Sequence, residues 1–326
     1  MNILLTPWRR WHRPLMVAVG LFILLTLAGA IGMMVDDRRL LAESVWLKPA
    51  KFGFAFAMYC GTLAWLLTRL TRAKRFGWWL GTVFAVSAVV ELAAITAQAA
   101  RGTFSHFNAD TDPVTLVLTP IFTFGVGALF IANLVMAFLV LRQRVIDRAM
   151  TRAMRAGIWL AILGMLVPVF YLVTGIYPRT VTDANGVQVQ MYQGHGIGDP
   201  DGHGMPLTNW SVTGGDWRVA HFVGLHGIQV LLLFAALLVA LSARFVWLRD
   251  ERVRARLVGI ACLGYTGLFA VVNWQAHRGQ SLIHPDAMTL AAFATVALVV
   301  LAAAATVIVR ATATENEERH AQVHHL

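Results

Sequence analysis

A five-residue motif occurs twice in this chain, as Gln98–Gly102 (QAARG) and as Gln275–Gly279 (QAHRG). Each copy follows a long apolar stretch, and a histidine comes shortly after it, His106 in the first case and His284 in the second. Two apolar stretches that end in the same polar motif indicate an internal repeat. The repeat predicts a membrane unit that has been duplicated within one chain.

Composition supports a membrane protein, because 58% of the residues are hydrophobic and only 13% are charged. Soluble domains carry about 25% charged residues. Eight apolar stretches have the length of roughly 20 residues that a membrane-crossing helix needs. We therefore predict an all-α polytopic membrane protein with two tandem four-helix units, 1–145 and 146–326. The predicted spans are 14–35, 46–67, 76–99, 114–141, 156–177, 217–243, 257–277 and 287–309.

The formal net charge of +10 follows the loops of this topology. Basic residues are concentrated in alternate loops, at 9–13, 69–75, 142–155 and 244–256, whereas acidic residues, Asp216 among them, dominate the other loops. The positive-inside rule places the basic loops and both termini in the cytoplasm, together with the tail at 310–326. These charges therefore predict contact with the lipid bilayer and no nucleic-acid partner.

The longest irregular segment is the loop at 179–215, which is rich in Gly, Asp, Asn and Thr. The matching loop of the first unit is short, so we expect this insertion to cover the outer mouth of the second unit. A metal site is one interpretation of its polar residues, and ordinary turn composition is the other. The residues concerned are His195, Asp199, Asp201 and His203.

Two histidines distinguish the second unit, because His226 and His277 stand where the first unit has Phe56 and Ala100. They are predicted to lie roughly 13 Å and 10 Å inside the outer ends of neighbouring helices. Imidazoles on facing helices can bind a haem iron from both sides, which predicts a haem b site. The alternatives are a redox-inert metal, a proton relay, or simple hydrogen bonds to a neighbouring helix.

Four further basic residues lie near the outer ends of the spans. Lys51 and His221 occupy matched positions in the segments AKF and AHF, as Arg101 and Arg278 do in the repeated motif. His221 cannot join His226 at one point, because five residues rotate a helix by about 140°. We expect the four residues to contact anions, which could be lipid phosphates, haem propionates or substrate carboxylates. In the haem interpretation, His221 and Arg278 contact the propionates.

Glu91 is the most deeply placed charged residue, and the second unit has no matching acid. A buried carboxylate must be paired or neutralised, and we expect Lys51 or Arg101 as its partner. A proton-coupled or cation site is one interpretation, and a neutral Glu91 that holds helices together is the other. The remaining candidate residues at the outer ends are Gln98, His106, Asp216, Gln275 and His284.

Eight spans in two four-helix halves, with histidines toward the outer side of one half, resemble the architecture of haem A synthase. That family has its ligating histidines on the even-numbered helices. Spans 2, 4 and 8 have no interior histidine here, so the resemblance assigns no catalytic residue. The segments GDWRVAHFVGLHGIQ, ending at Gln229, and WLKPAKF, ending at Phe52, also resemble a group of bacterial membrane proteins, a resemblance that brings no activity with it.

From these features we expect a bacterial inner-membrane protein with a redox or haem-binding site in the outer half of its C-terminal bundle. The first alternative is a proton-coupled transporter or permease, in which the basic residues attract a small anionic solute and Glu91 couples protons. The second is a membrane-embedded enzyme that acts on a lipid-soluble substrate. The sequence contains neither a Walker loop nor a dinucleotide-binding fingerprint, which argues against ATP-driven transport by this chain alone.

Overall fold

The computed structural model describes residues 7–143, 147–174 and 177–324. Within this part of the chain, eight helices are long and apolar enough to cross a membrane. The protein is therefore an all-α polytopic membrane protein, as predicted. The predicted boundary between the two units, at 145/146, lies outside the described residues.

Nine helical segments form the eight spans, since the fourth span consists of two. Their bounds are α1 Arg13–Val35, α2 Leu47–Leu67, α3 Lys74–Ala100, α4 Pro113–Pro120, α5 Val126–Leu141, α6 Arg148–Thr174, α7 Trp217–Leu241, α8 Glu251–His277 and α9 Ala287–His324. A π-helical turn, Ile121–Gly125, joins α4 to α5. The main differences from the predicted bounds are the earlier start of α6 and the continuation of α9 through most of the predicted tail.

We call α1 to α5 the first half and α6 to α9 the second half. In the first half α1 packs closely along α2, and in the second half α6 packs closely along α7. A Cβ atom placed on Gly29 would lie 2.8 Å from the Ala50 Cβ, and one on Gly164 would lie 2.7 Å from the Leu225 backbone nitrogen. Both distances are shorter than van der Waals contact, so only glycine fits at these crossings. In contrast, no residue in the most apolar window of α9 is buried, and this helix lies at the edge against α8.

Residues 177–216, here called the lid, lie across one end of the molecule. The lid contains the antiparallel hairpin of β3 (Arg179–Thr182) and β4 (Gln188–Met191) and the short strands β5 (Gly196–Ile197) and β6 (Gly215–Asp216). We call this end the lid side. The short strands β1 (Arg39–Leu40) and β2 (Glu43–Ser44) pair in the loop between α1 and α2.

The lid covers more of the protein than predicted, because its hairpin contacts the α3–α4 loop of the first half. The Gln190 carbonyl accepts from the Ala109 amide at 2.8 Å, and the Tyr192 amide donates to the Phe107 carbonyl at 3.0 Å. Gly215, at the other end of the lid, lies directly against the end of α8. The lid therefore bridges both halves.

Candidate functional site

The first copy of the repeated motif ties the end of α3 to the start of α4. Arg101 donates to the side chains of Gln98 at 2.6 Å and of Asp112 at 2.7 Å. Asp112 is the N-cap of α4 and also accepts from the amides of Val114 and Thr115. A carboxylate at a helix N-terminus is favourable in itself, and the arginine adds a charge-assisted bond.

The second copy makes corresponding contacts between α8 and α9. Arg278 donates to the two carboxylate oxygens of Asp286 at 3.0 and 2.6 Å, and to the Thr289 hydroxyl at 2.9 Å. The Arg278 bonds, with the Thr289 amide, hold the pKa of Asp286 well below its ordinary value. Gln275 donates to the Ser281 carbonyl at 2.6 Å. Both arginines are thus engaged by a neighbouring carboxylate, and ligand binding by either stays a prediction.

Each motif ends with a glycine because the backbone at that position has a positive φ angle. Gly102 and Gly279 have φ angles of +74° and +71°, the left-handed conformation that terminates helices and that other residues rarely adopt. We call the two ion pairs that these arginines form, Arg101–Asp112 and Arg278–Asp286, the helix-end clamps.

The predicted haem ligands His226 and His277 lie in different surroundings. The His277 ring is 6.0 Å from the Trp217 ring, and its Nδ1 is 2.7 Å from the Asn273 carbonyl of its own helix. His226 instead stacks on Phe222 at 6.0 Å. Nine residues separate Trp217 from His226 on α7, which is about 13 Å along the axis and half a turn around it. These contacts do not bring the two rings to the roughly 4 Å that a shared iron requires, so haem ligation by this pair stays a prediction without support from the geometry.

Metal binding in the lid has no support in the structure either. Within the described part of the chain, no group of three or more His, Cys, Asp and Glu side chains could hold a metal ion. Asp199 accepts from the Ser211 hydroxyl at 2.6 Å and from the Gly202 amide at 3.0 Å, and Asp201 pairs with Arg179. These bonds order the turns of the lid, as the turn interpretation expects.

Two of the predicted anion-binding residues have backbone partners. The His221 Nδ1 lies 2.7 Å from the Gly164 carbonyl and thus joins α7 to α6. Lys51 donates to the Thr208 carbonyl in the lid at 2.7 Å and lies 3.6 Å from the Glu43 carboxylate. Lys51 therefore connects the first half to the lid.

Asp216 and His284 connect the lid to the second half. Asp216 is the N-cap of α7 and forms an ion pair of 2.7 Å with Arg218. The His284 Nδ1 lies 2.9 Å from the Val212 carbonyl of the lid.

The most unusual polar arrangement lies in the first half and consists of Lys48, His106 and Glu91, here called the Glu91 cluster. Only 2% of Glu91 is exposed, and its Oε1 lies 3.6 Å from the His106 Nε2. The His106 Nδ1 lies 3.3 Å from the Lys48 Nζ. The prediction that Lys51 or Arg101 pairs with Glu91 was wrong. Lys51 reaches the lid, and Arg101 is held by Asp112.

The protonation of His106 follows from its neighbours. Burial, together with the nearby Lys48 charge, lowers the pKa of His106 well below its ordinary value, so the ring is neutral. An ammonium group has only donors, so Lys48 donates to Nδ1 and the ring proton resides on Nε2. That proton points toward Glu91. The cluster therefore forms a line from a cation, through a neutral imidazole, to a carboxylate.

Aromatic rings and a turn of the chain hold His106 in place. Its ring centroid is 4.9 Å from that of Phe122, in the π-helical turn, and 6.3 Å from that of Phe52, on α2. The following residue, Phe107, has a φ of +63°, which turns the loop back under the lid. The loop thereby carries an imidazole toward a carboxylate on α3.

The π-helical turn accommodates the Glu91 carboxylate. A Cβ atom on Gly125 would lie 2.7 Å from the Glu91 Oε2. Both carboxylate oxygens are buried, and neither forms a hydrogen bond to any described residue. Single π-helical turns occur frequently at functional sites, and a buried acid without hydrogen bonds is a costly feature that calls for a functional explanation.

Sequence reasoning identified Glu91 and His106 individually but not their contact, and it assigned neither Lys48 nor Gly125 to the site. The signal for the turn was Pro120, since a proline inside an apolar helix disturbs its hydrogen bonds. Compared with protein-family models, curated proteins and solved structures, the chain matches none of them.

Proposed function

We propose that this protein is a proton-coupled transporter or permease for a small anionic solute. The observation that supports this function best is the Glu91 cluster, in which a buried carboxylate without hydrogen bonds faces a neutral imidazole and a lysine. Such a line offers a site for an anion at one end and a site for a proton at the other.

The anion end of the cluster is its lysine. Glu43, Lys51 and Arg218 lie close enough to Lys48 to act on it electrostatically. Lys51 is paired with Glu43 and Arg218 with Asp216, whereas Lys48 forms no ion pair with a described carboxylate. A cation in a region shielded from water attracts and holds an anion. We assign Lys48 as the residue that contacts the solute, because Lys51 and Arg218 already bind the lid.

The proton end of the cluster is Glu91, and charge balance is the reason for coupling. Lys48 and ionised Glu91 together carry no net charge. A solute anion that joins Lys48 adds one negative charge, and a proton on Glu91 removes it. Because net charge inside a membrane is costly, solute and proton should enter together.

A path beyond the cluster follows the contact between the halves. The Tyr59 hydroxyl donates to the Asn133 side chain at 2.9 Å, and these two residues border a small apolar cavity. Ile158 of α6 and Ile228 of α7 line the same cavity from the second half. Packing between the halves is therefore incomplete at this cavity. Movement of one half against the other would open a passage there.

Transport can be tested with the full-length protein in liposomes that enclose a pH-sensitive dye. External gluconate, lactate and phosphate are added in turn, and acidification of the interior is recorded. We expect at least one anion to produce acidification that empty liposomes lack. Glu91→Gln should reduce the rate by about tenfold or more, because the amide cannot carry the proton. No protein-dependent acidification with any of the three anions would contradict the proposal for these small anions.

Two glycines provide a matched control for the geometry of the site. Gly125→Ala places a methyl group against the Glu91 carboxylate and should slow transport, whereas a Cβ atom on Gly127 meets nothing within 4 Å. Gly127→Ala should therefore transport as the wild type does.

We propose the bacterial inner membrane as the location, with both termini in the cytoplasm and the lid outside. This orientation rests on the basic loops at 69–75, 142–155 and 244–256. Reporter fusions after Arg75 and Arg256 should report cytoplasm, and a fusion within 183–210 should report the periplasm. We also infer that the halves arose by duplication, and the two helix-end clamps support this inference.

A further inference from the structure

Residues 205–210 of the lid, here called the gate turn, connect the lid to both halves of the protein. The Thr208 carbonyl accepts from the Lys51 ammonium of the first half at 2.7 Å. The next carbonyl, that of Asn209, accepts from the Arg218 guanidinium of the second half at 2.6 Å. Two successive carbonyls of the gate turn therefore each hold one cation, and the two cations belong to different halves.

The backbone of the gate turn is strained. Leu207 and Asn209 have φ angles of +63° and +51°, which residues with a side chain rarely adopt. The Thr208 amide donates to the Pro206 carbonyl at 2.7 Å, so Leu207 is the central residue of a γ-turn with positive φ, the rare and strained form. The Leu207 side chain is 79% exposed, so its packing does not maintain this conformation. Strain of this kind persists where surrounding contacts maintain it, and it is common at ligand clamps and switch segments.

A second cost of the closed turn lies in the Thr208 side chain. Its hydroxyl oxygen is buried and forms no hydrogen bond to any residue that the structure describes. A buried hydroxyl without a partner is unfavourable, because it has lost its hydrogen bonds to water. The contacts with Lys51 and Arg218 oppose both costs, so loss of either contact should favour release of the turn.

Lys51 is the contact that can be exchanged more easily. Arg218 is also fixed by Asp216, which accepts from its Nε at 3.0 Å and from its Nη2 at 2.7 Å. Lys51 donates to the Thr208 carbonyl, and the Glu43 carboxylate lies 3.6 Å away, which is longer than a hydrogen bond. Because an ammonium has three donors, Lys51 retains the capacity to bind another acceptor.

Lys51 also lies within reach of a solute bound at Lys48. The two lysines are three residues apart on α2, so their Cβ atoms lie on one face of the helix, about 5–6 Å apart. They are close enough to act on each other electrostatically, and 24% of the Lys51 side chain is exposed. A carboxylate or phosphate has at least two oxygens and can accept from both ammonium groups. Its charge attracts Lys51 more strongly than a neutral carbonyl does.

We propose that Lys51 is a second contact for the transported anion, and that the gate turn occupies this contact until the anion binds. When an anion binds at Lys48, the Lys51 ammonium leaves the Thr208 carbonyl and donates to the anion. The strained turn then separates from the first half. This inference rests on the proposed transport function, and it assigns the opening of the lid to a solute with a carboxylate or phosphate group.

A reporter cysteine at position 208 tests the inference in the full-length protein. Thr208→Cys is purified in detergent, and its rate of reaction with a maleimide is measured in sodium gluconate, lactate or phosphate and in sodium chloride of equal ionic strength. The native cysteines, Cys60 and Cys262, lie within α2 and α8, and the wild type gives their background rate. Thr182→Cys is the matched control, because Thr182 lies in the hairpin of the lid and not in the gate turn.

We expect the anion that acidifies the liposomes to increase the rate for Thr208→Cys about threefold or more over the rate in chloride, because opening exposes this buried position. Thr182→Cys should react at the same rate in all four salts. Lys51→Met, added to Thr208→Cys, should increase the rate in chloride and remove the response to the anion.

The outcomes separate this inference from the transport proposal. Acidification without a faster reaction of Thr208→Cys would show that the gate turn stays in place during transport, which overturns the inference and leaves transport intact. A faster reaction without acidification would support the exchange at Lys51 and contradict transport. Equal rates in chloride with and without Lys51→Met would also overturn the inference. If Thr208→Cys does not fold, chymotrypsin cleavage of the wild type after Leu207 replaces it, and the absence of acceleration by any of the three anions would overturn the inference.

Discussion

The two halves of the molecule carry the same helix-end clamp on the lid side, yet they differ in what lies beneath it. In the first half, Glu91 precedes Gln98 by seven residues and meets His106 inside the bundle. In the second half, Leu268 stands seven residues before Gln275, and His284 contacts the lid instead. The arginines of the motif thus pair with a carboxylate in both halves, whereas the contact between a histidine and a buried acid is found in the first half.

The two halves also differ in the helix that follows each motif, which is the fourth span in the first half and α9 in the second. The fourth span is interrupted by the π-helical turn at Gly125, thirteen residues after Asp112. Val299, thirteen residues after Asp286, lies within the uninterrupted helix α9. In the first half, Glu91 thus lies against Gly125. In the second half, the corresponding positions are occupied by Leu268 and Val299.

The largest expected effect concerns the close helix contacts in both halves. Gly29→Leu and Gly164→Leu should each destabilise the protein by about 1–3 kcal/mol or more, because the new side chain meets the neighbouring helix. Gly20→Leu is the control, since a Cβ atom there meets nothing within 4 Å. Thermal melting in detergent measures the three variants. A large effect in only one half would show that the halves are packed differently.

His106 of the first half should contribute to the pH dependence of stability, together with His195 of the lid, because burial lowers the pKa of both histidines well below the ordinary value. The unfolded chain therefore takes up protons at these residues more readily than the folded protein. Stability should not change through them above about pH 6.5 and should fall as the pH drops below it, by at most about 1.4 kcal/mol per pH unit for each histidine. His106→Gln should reduce the decline in melting temperature between about pH 6.5 and 5.5. His284→Gln should leave it unchanged, and an unchanged slope in His106→Gln would contradict the buried neutral ring.

A smaller effect is expected at the clamps. Arg101 and Asp112 each have a side chain about one-third exposed, so their ion pair should contribute about 0.5–1 kcal/mol. A double-mutant cycle with Arg101→Ala and Asp112→Ala measures this coupling. The cycle with Arg278→Ala and Asp286→Ala should give the same sign. Coupling in only one clamp would show that the common motif has different roles.

The smallest effect is expected for the histidines that only the second half contains. His226→Ala and His277→Ala should leave transport and the absorbance spectrum of the purified protein unchanged, because the two rings pack against different aromatic residues, Phe222 and Trp217. A Soret band that shifts on reduction, and that both variants lose, would instead restore the haem site predicted from the sequence.

The sequence was sufficient for the fold because each span is a long apolar run, and the location of such runs depends on local composition. It also revealed the repeated motif. The role of the motif was harder to predict, because whether Arg101 faces a ligand or Asp112 depends on the path of the ten residues between Arg101 and Asp112.

The candidate site was harder to predict because its contacts are not local. The contact between His106 and Glu91 joins a loop to a helix, and the loop has a left-handed backbone conformation at Phe107, which no sequence pattern indicated. The lid pairs with the first half through residues such as Ala109 and Gln190, which are far apart in sequence. Hydrophobic periodicity contains no information about either contact.

The most direct test of the account compares one histidine from each half in the liposome assay. His106→Gln and His284→Gln are purified, reconstituted at equal density, and assayed for anion-dependent acidification with the solute that gives the highest wild-type rate. The account predicts that His106→Gln loses about tenfold or more of the rate, because the link between Lys48 and Glu91 is broken. It predicts that His284→Gln stays within about twofold of the wild type, since its ring contacts only the lid and its own loop. Equal loss in the two variants, or loss in His284→Gln alone, would contradict the claim that function resides in the unrepeated residues of the first half.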